Sequence, residues 1–186
     1  MSRLTVTSGG VSQTMGNSTN EKKGRVIRVT PTCSTTAYSD GDVFFNATEI
    51  PDAVRVRGGS AIIKNISVIN YDDETSEMEL LFHQTGGINL GTLNTQPDIT
   101  DANVKNLNII AHHLMASGDW MPFNSSADSS ATVYTSGASQ ADNNRNILIS
   151  ASENSTSIYV SAMATDSTNL GNATDIELIF CIEYLD

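Results

Sequence analysis

Residues 175–185 read Asp-Ile-Glu-Leu-Ile-Phe-Cys-Ile-Glu-Tyr-Leu. Successive side chains of a strand point to opposite faces, so Ile176, Leu178, Phe180, Ile182 and Tyr184 line one face while Glu177 and Glu183 occupy the other. Ser157 to Ala164 has the same character. Further back, Ala61 to Asn70 follows the breaker Gly58-Gly59, with Ile62, Ile66 and Val68 on one face and Ile63 and Ile69 on the other. Two partly apolar faces are expected of a central strand. Shorter alternating runs begin at Val26, ended by Pro31, at Asp42 after the turn Ser39-Asp40-Gly41, and at Met78, where Met78, Leu80 and Phe82 share a face. Others fall at Leu107 to His112, Trp120 to Phe123, Ala131 to Thr135 and Asn146 to Ala151. Eight to ten short strands separated by turn clusters predict an all-β chain folded as a β-sandwich, with the jelly roll as the expected variant.

The composition agrees. At 186 residues the chain suits one domain, or one domain with an extension. Only 39% is hydrophobic, and the abundant Ser, Thr, Asn, Asp and Gly favour turns. Asp98 to Asn106 is the one helical stretch expected, with Asp98 as its cap and Asp101 near its positive end. Residues 1–24 form a separate polar segment, an extended N-terminal arm ahead of a β-sandwich domain at residues 25–186. Its apolar residues are too sparse to offset the entropy of ordering it alone. Leu4, Val6, Val11 and Met15 are spaced like single anchors for a partner surface, and Leu4-Thr5-Val6 can also add as a strand to a neighbour's sheet. Lys22, Lys23 and Arg25 are then expected where the arm leaves the body, facing an acidic neighbour.

Ten Lys and Arg against 21 Asp and Glu give a net charge of −11. Such a balance disfavours nucleic acid and anionic membranes as partners. The short basic concentration Lys22, Lys23, Arg25 and Arg28 has no interleaved aromatics and reads as a solvated or partner-facing stretch. No basic and apolar leader pattern opens the chain, and no apolar run is long enough to span a membrane. The six N-x-S/T sequons, from Asn17 to Asn172, read as a by-product of composition. Cys33 and Cys181 lack metal-ligand spacing; they can pair only if the first strand lies beside the last, and two buried free thiols are the expected state.

No catalytic, cofactor or metal site is expected. His112 and His113 are adjacent on a strand and point to opposite faces, so they cannot easily share one metal; His83 can approach one of them in space, but the sequence groups no further ligands. Asp72-Asp73-Glu74 and Asp98 with Asp101 lack the alternating order of a calcium loop. The serines have no histidine at a recognisable spacing, although triads assemble in space. Trp120, beside Met121, Pro122 and Phe123, reads as core or subunit interface rather than as a sugar platform.

The run Arg28-Val-Thr-Pro-Thr-Cys-Ser-Thr-Thr-Ala-Tyr-Ser-Asp-Gly-Asp-Val43 resembles the opening of small phage structural proteins, which carry a V-T-P-T run followed by A-Y-x-x-G-D. Gly58-Gly59-Ser60-Ala61-Ile62-Ile63 is similar to their Gly-Gly-Ser before an apolar strand, and Asp98 to Asn103 to their short I-x-D-A-D helix. The longer polar N-terminus and Asn103 depart from that pattern. The resemblance covers most of residues 25–186. It implies a jelly-roll-like virion protein of the capsid decoration (cement) family, bound to the major capsid protein on the capsid exterior as a homo-oligomer, a trimer in the first instance. It implies no catalytic residues. A host-recognition or tail-fibre head domain is the alternative, and a jelly-roll enzyme acting on glycans a more distant one.

Overall fold

The computed structural model describes residues 4–8, 11–15, 23–72, 75–116, 118, 120–122, 132–135 and 146–185, and for residues 4–8, 11–15, 122 and 132–135 the backbone alone. Twelve strands and one helix are described: β1 Leu4–Ser8, β2 Val11–Met15, β3 Gly24–Val29, β4 Val43–Ile50, β5 Ser60–Asn70, β6 Met78–His83, α1 Asp101–Leu107, β7 Ile109–Met115, β8 Trp120–Pro122, β9 Thr132–Thr135, β10 Ile147–Ser150, β11 Ile158–Ala164 and β12 Ile176–Tyr184. From Gly24 onward they form two antiparallel sheets. The first runs β3-β12-β5-β9-β8, with β10 also paired to β5. The second runs β4-β11-β6-β7. The protein is an all-β sandwich with one short helix.

Alternation fills the space between the sheets. Ile176, Leu178, Phe180 and Ile182 from β12 meet Met78, Leu80 and Phe82 from β6, all buried in one core. Phe82 and Phe180 join the two sheets edge to face, with ring centroids 5.9 Å apart, a geometry that contributes about 1 kcal/mol beyond the area it buries. Trp120 belongs to this core.

The long strand β5 departs from strict alternation. Cys181 of β12 pairs with Asn65 and Ile182 with Ile63, so Lys64 is an extra residue, a β-bulge. The bulge resets the phase. Ala61 and Ile63 share the core with Ile66 and Val68, whereas Ile62 lies on the outer face with Ile69. The expected grouping of Ile62 with Ile66 and Val68 is corrected accordingly. The bulge also marks where β5 changes partner on its other edge, from β10 at Ser60 to Ile63 to β9 at Ser67 to Asn70.

The helix begins two residues later than the expected cap. Thr100, not Asp98, has the extended cap conformation, and its side chain accepts from the Asn103 N–H at 3.3 Å. Asp101 sits in the first turn and Lys105 in the last, each complementing the helix dipole. Asn108 closes the helix in the left-handed conformation, and the following strand is displaced to Ile109–Met115 from the expected Leu107 to His112. Both cysteines are free. Cys33 is buried, and burial pushes its thiol pKa up to about 12. Cys181 is only half-buried, being on the outer face of β12 with Glu177 and Glu183, which corrects the expectation of two buried thiols.

The stretch that carries the resemblance forms the joint between β3 and β4. Tyr38 is buried and stacked on Phe44 at 4.5 Å. Its hydroxyl donates to the Phe44 carbonyl at 3.0 Å and accepts from the Ser34 N–H. The Asp42 carboxylate accepts from the Ser39 N–H at 2.8 Å, and Gly41 between them has φ +85°, which glycine tolerates without strain. These side chains shape the turn.

Candidate binding surface

The two sheets differ in what covers their outer faces. Over the β4-β11-β6-β7 sheet lies the connection from β6 through α1. It builds a second small core of Val43, Leu90 and Leu107, packed by Leu81, Ile88, Leu93, Ile99 and Met163. Asn46 clamps this connection, accepting from the Leu90 N–H at 2.8 Å and donating to the Gly91 carbonyl at 2.9 Å. The outer face of the other sheet has no such cover among the described residues. Val26, Met121 and Leu148 are each more than half exposed there. Its charges pair with one another: Arg28 with Glu177 at 3.0 Å and Lys64 with Glu183 at 3.7 Å.

Beneath the β6–α1 connection the fold assembles a serine and a histidine that no sequence spacing announced. His83 Nε2 lies 3.0 Å from Ser161 Oγ, and His83 Nδ1 lies 2.9 Å from the Thr85 carbonyl. The carbonyl only accepts, so Nδ1 carries the proton and Nε2 accepts from the serine hydroxyl. Tyr159 stacks on the imidazole at 6.0 Å. Both His83 and Ser161 have no solvent-exposed surface, and burial lowers the His83 pKa. A nucleophilic serine needs a route for its substrate and donors for the developing oxyanion. Here the pair satisfies two buried polar groups against each other.

The other two histidines separate as adjacent strand residues do. His112 is exposed, with Nδ1 2.7 Å from Glu79 Oε1, while His113 is buried. His83 pairs in register with Ile109, so it meets neither directly across the β6–β7 ladder. No group of three or more His, Cys, Asp or Glu side chains converges on a metal position among the described residues. Asp72 accepts from the Gly171 N–H and Asp175 from the Asn172 N–H, each at 2.6 Å. Asp73 and Glu74 lie outside the described residues.

The expected partner-contact residues are placed as follows. Leu4 and Val6 are in β1, Val11 and Met15 in β2, and the two strands pair antiparallel, with Leu4 opposite Met15 and Val6 opposite Gln13. The segment is therefore a hairpin forming a two-stranded sheet of its own, rather than one extended strand. Gly9-Gly10 between two short β-prone runs is the signal that the extended reading passed over. Lys22 lies outside the described residues. Lys23 is exposed, and its carbonyl accepts from the Tyr184 N–H at 2.8 Å. Arg25 is exposed and lies 2.7 Å from Asp52 of its own chain.

At the far side of the sandwich from β3, an open groove of about 550 Å³ separates β7 from β10. Its walls include Ser60, Gln84, Asn108, Ile109, Leu148 and Ser150, with no charged side chain. Sequence reasoning missed it because its walls come from strands about 40 residues apart. No helix among the described residues is long and apolar enough to cross a membrane. The chain matches no protein-family model, and no curated protein matches it significantly.

Proposed function

We propose that this chain is a non-catalytic virion protein that binds the outer surface of a phage capsid, contacts the major capsid protein and stabilises the shell. The observation that carries the reading is the strand order. β3-β12-β5, with β9-β8 and β10 both paired to the far edge of β5, faces β4-β11-β6-β7; this arrangement supports the jelly roll expected from the sequence, an architecture used by viral capsid and lectin domains. Architecture alone does not determine function. The resemblance in residues 28–43, 58–63 and 98–103 narrows the choice, because those residues form the β3–β4 joint, the entry to β5 and the helix, the three places that shape the sandwich. The charge of −11 suits an exterior position away from packaged DNA. A homotrimer matches a three-fold position on a lattice, since closed symmetry presents repeated contacts to a repeated surface.

Capsids stripped of this protein provide the test. Purified chain added back should co-sediment with them at a fixed stoichiometry and raise the temperature at which they release DNA. Failure to co-sediment, or saturable binding to host cells in place of capsids, would overturn the proposal.

A further inference from the structure

Exposed strand edges present unpaired N–H and C=O groups, and natural proteins blunt them with charge, proline or a covering element. Most edges of this sandwich follow that rule. β3 carries Arg25 and Arg28, β4 carries Glu49, and β8 carries Pro122. Two do not. β7, the last strand of its sheet, and β10, which among the described strands pairs with β5 alone, contain no Lys, Arg, Asp, Glu or Pro. Among the described residues no strand covers these two edges, and they flank the same groove.

The hydrogen-bonding groups there are oriented. Gln84 Nε2 donates to the Ser150 carbonyl at 2.9 Å from the groove side, so Ser150 turns its backbone groups away from β5. In an antiparallel ladder the orientation alternates by residue, which turns the Leu148 N–H and C=O to the groove as well. Leu148 and Ile109 are both exposed apolar residues on its walls. An edge of this kind takes a strand, and an uncharged groove takes an uncharged one.

This chain contains such a strand. Residues 4–15, Leu-Thr-Val-Thr-Ser-Gly-Gly-Val-Ser-Gln-Thr-Met, carry no charge, in a protein with 31 charged side chains (10 + 21). β1 and β2 are also the only described strands that belong to neither sheet of the sandwich. A two-stranded hairpin standing alone is marginal in water and gains most from a third strand. We infer that the β1–β2 hairpin of one copy docks into the β7–β10 groove of a second copy, adding a strand to the β10 edge. The inference rests on reading residues 1–24 as a binding arm, but needs no capsid. Hairpin into groove is a heterologous contact, which builds a ring, such as a trimer, when the rotation between copies closes. In sequence, residues 16–23 join the hairpin to the sandwich, and eight residues span at most about 28 Å when extended.

The test uses the full chain, two variants and sedimentation. Wild type should run as a closed oligomer, a small multiple of 19.9 kDa. Leu148→Glu, at an exposed position, and deletion of residues 2–15 should each give a folded monomer by circular dichroism. Mixed in equal amounts, the two monomers should form a dimer, because one keeps the hairpin and the other keeps the groove. A monomeric wild type, an oligomer that survives Leu148→Glu, or a mixture that stays monomeric would each overturn the inference. No capsid enters the assay, so its failure would leave the capsid reading to its own test. Conversely, an oligomer that assembles as described but ignores capsids would overturn only the capsid reading.

Discussion

Replacing Tyr38 by Phe removes one oxygen and leaves the stacked ring in place. That oxygen serves two groups: it donates to the Phe44 carbonyl and accepts from the Ser34 N–H. Ser34 is half-buried, so water replaces the bond to its N–H. Phe44 has no exposed surface, and its carbonyl on the edge strand β4 would be left without a donor. An unsatisfied buried carbonyl costs about 1–3 kcal/mol, which sets the expected loss at about 2 kcal/mol. For a chain of this size that lowers the melting temperature by about 4–8 °C. Urea unfolding should show a lower midpoint with an unchanged slope, because the surface exposed on unfolding is the same. Tyr38→Ala also empties the ring's volume and should cost about 3–5 kcal/mol. Burial pushes the Tyr38 pKa up to about 12, so the folded state holds that proton more tightly than the unfolded state. Stability from this group is complete below pH 10 and is lost as pH rises through 10 to 12. Tyr38→Phe should lack that alkaline loss. If Tyr38→Phe melts within about 0.5 kcal/mol of wild type, the joint is not held by this hydroxyl and the argument for the β3–β4 turn fails.

Three further outcomes follow from the same geometry. His83 has a lowered pKa because it is buried, so the unfolded state takes up the proton first as pH falls; its contribution is intact above the ordinary histidine range and declines below about 6.5. Thermal unfolding from pH 7 to 5 should show a smaller decline for His83→Gln than for wild type, and equal declines would refute the assignment. Deleting Lys64 removes the bulge residue yet keeps Ile63 opposite Ile182, so the variant should fold, whereas deleting Ser67 moves Ile66 out of the core phase and should prevent folding; circular dichroism and solubility separate the two. With a thiol reagent, Cys181 should react in the native protein and Cys33 only after unfolding, since Cys33 is buried with a raised pKa; two equally fast thiols would contradict the placement.

Much of the sandwich was legible because burial on one face leaves period-two alternation behind. β12 is the clearest case, with Ile176, Leu178, Phe180 and Ile182 all buried as the alternation predicts. β5 was misphased because Ala61, Ile62, Ile63, Ile66 and Val68 supply apolar residues in both phases, so only its pairing to β12 reveals the bulge at Lys64. The helix start was ambiguous for a local reason. Asp98 and Thr100 are both capping types, and the Thr100 contact to Asn103 decides between them. The contact of Arg25 with Asp52 was not legible, because no sequence rule brings a residue 27 positions away beside it. The groove was invisible for a deeper reason: it is made by what two strand edges lack, and which strands become edges is settled only by the topology.

The proposed capsid role is tested most directly by imaging intact particles of a phage that encodes this chain, with labelled antibody to it, followed by reconstruction of the shell. The account predicts density for the sandwich at regular positions on the outer surface, repeated with the lattice and touching the major capsid protein. Label confined to the tail tip, or absent from particles, would contradict it.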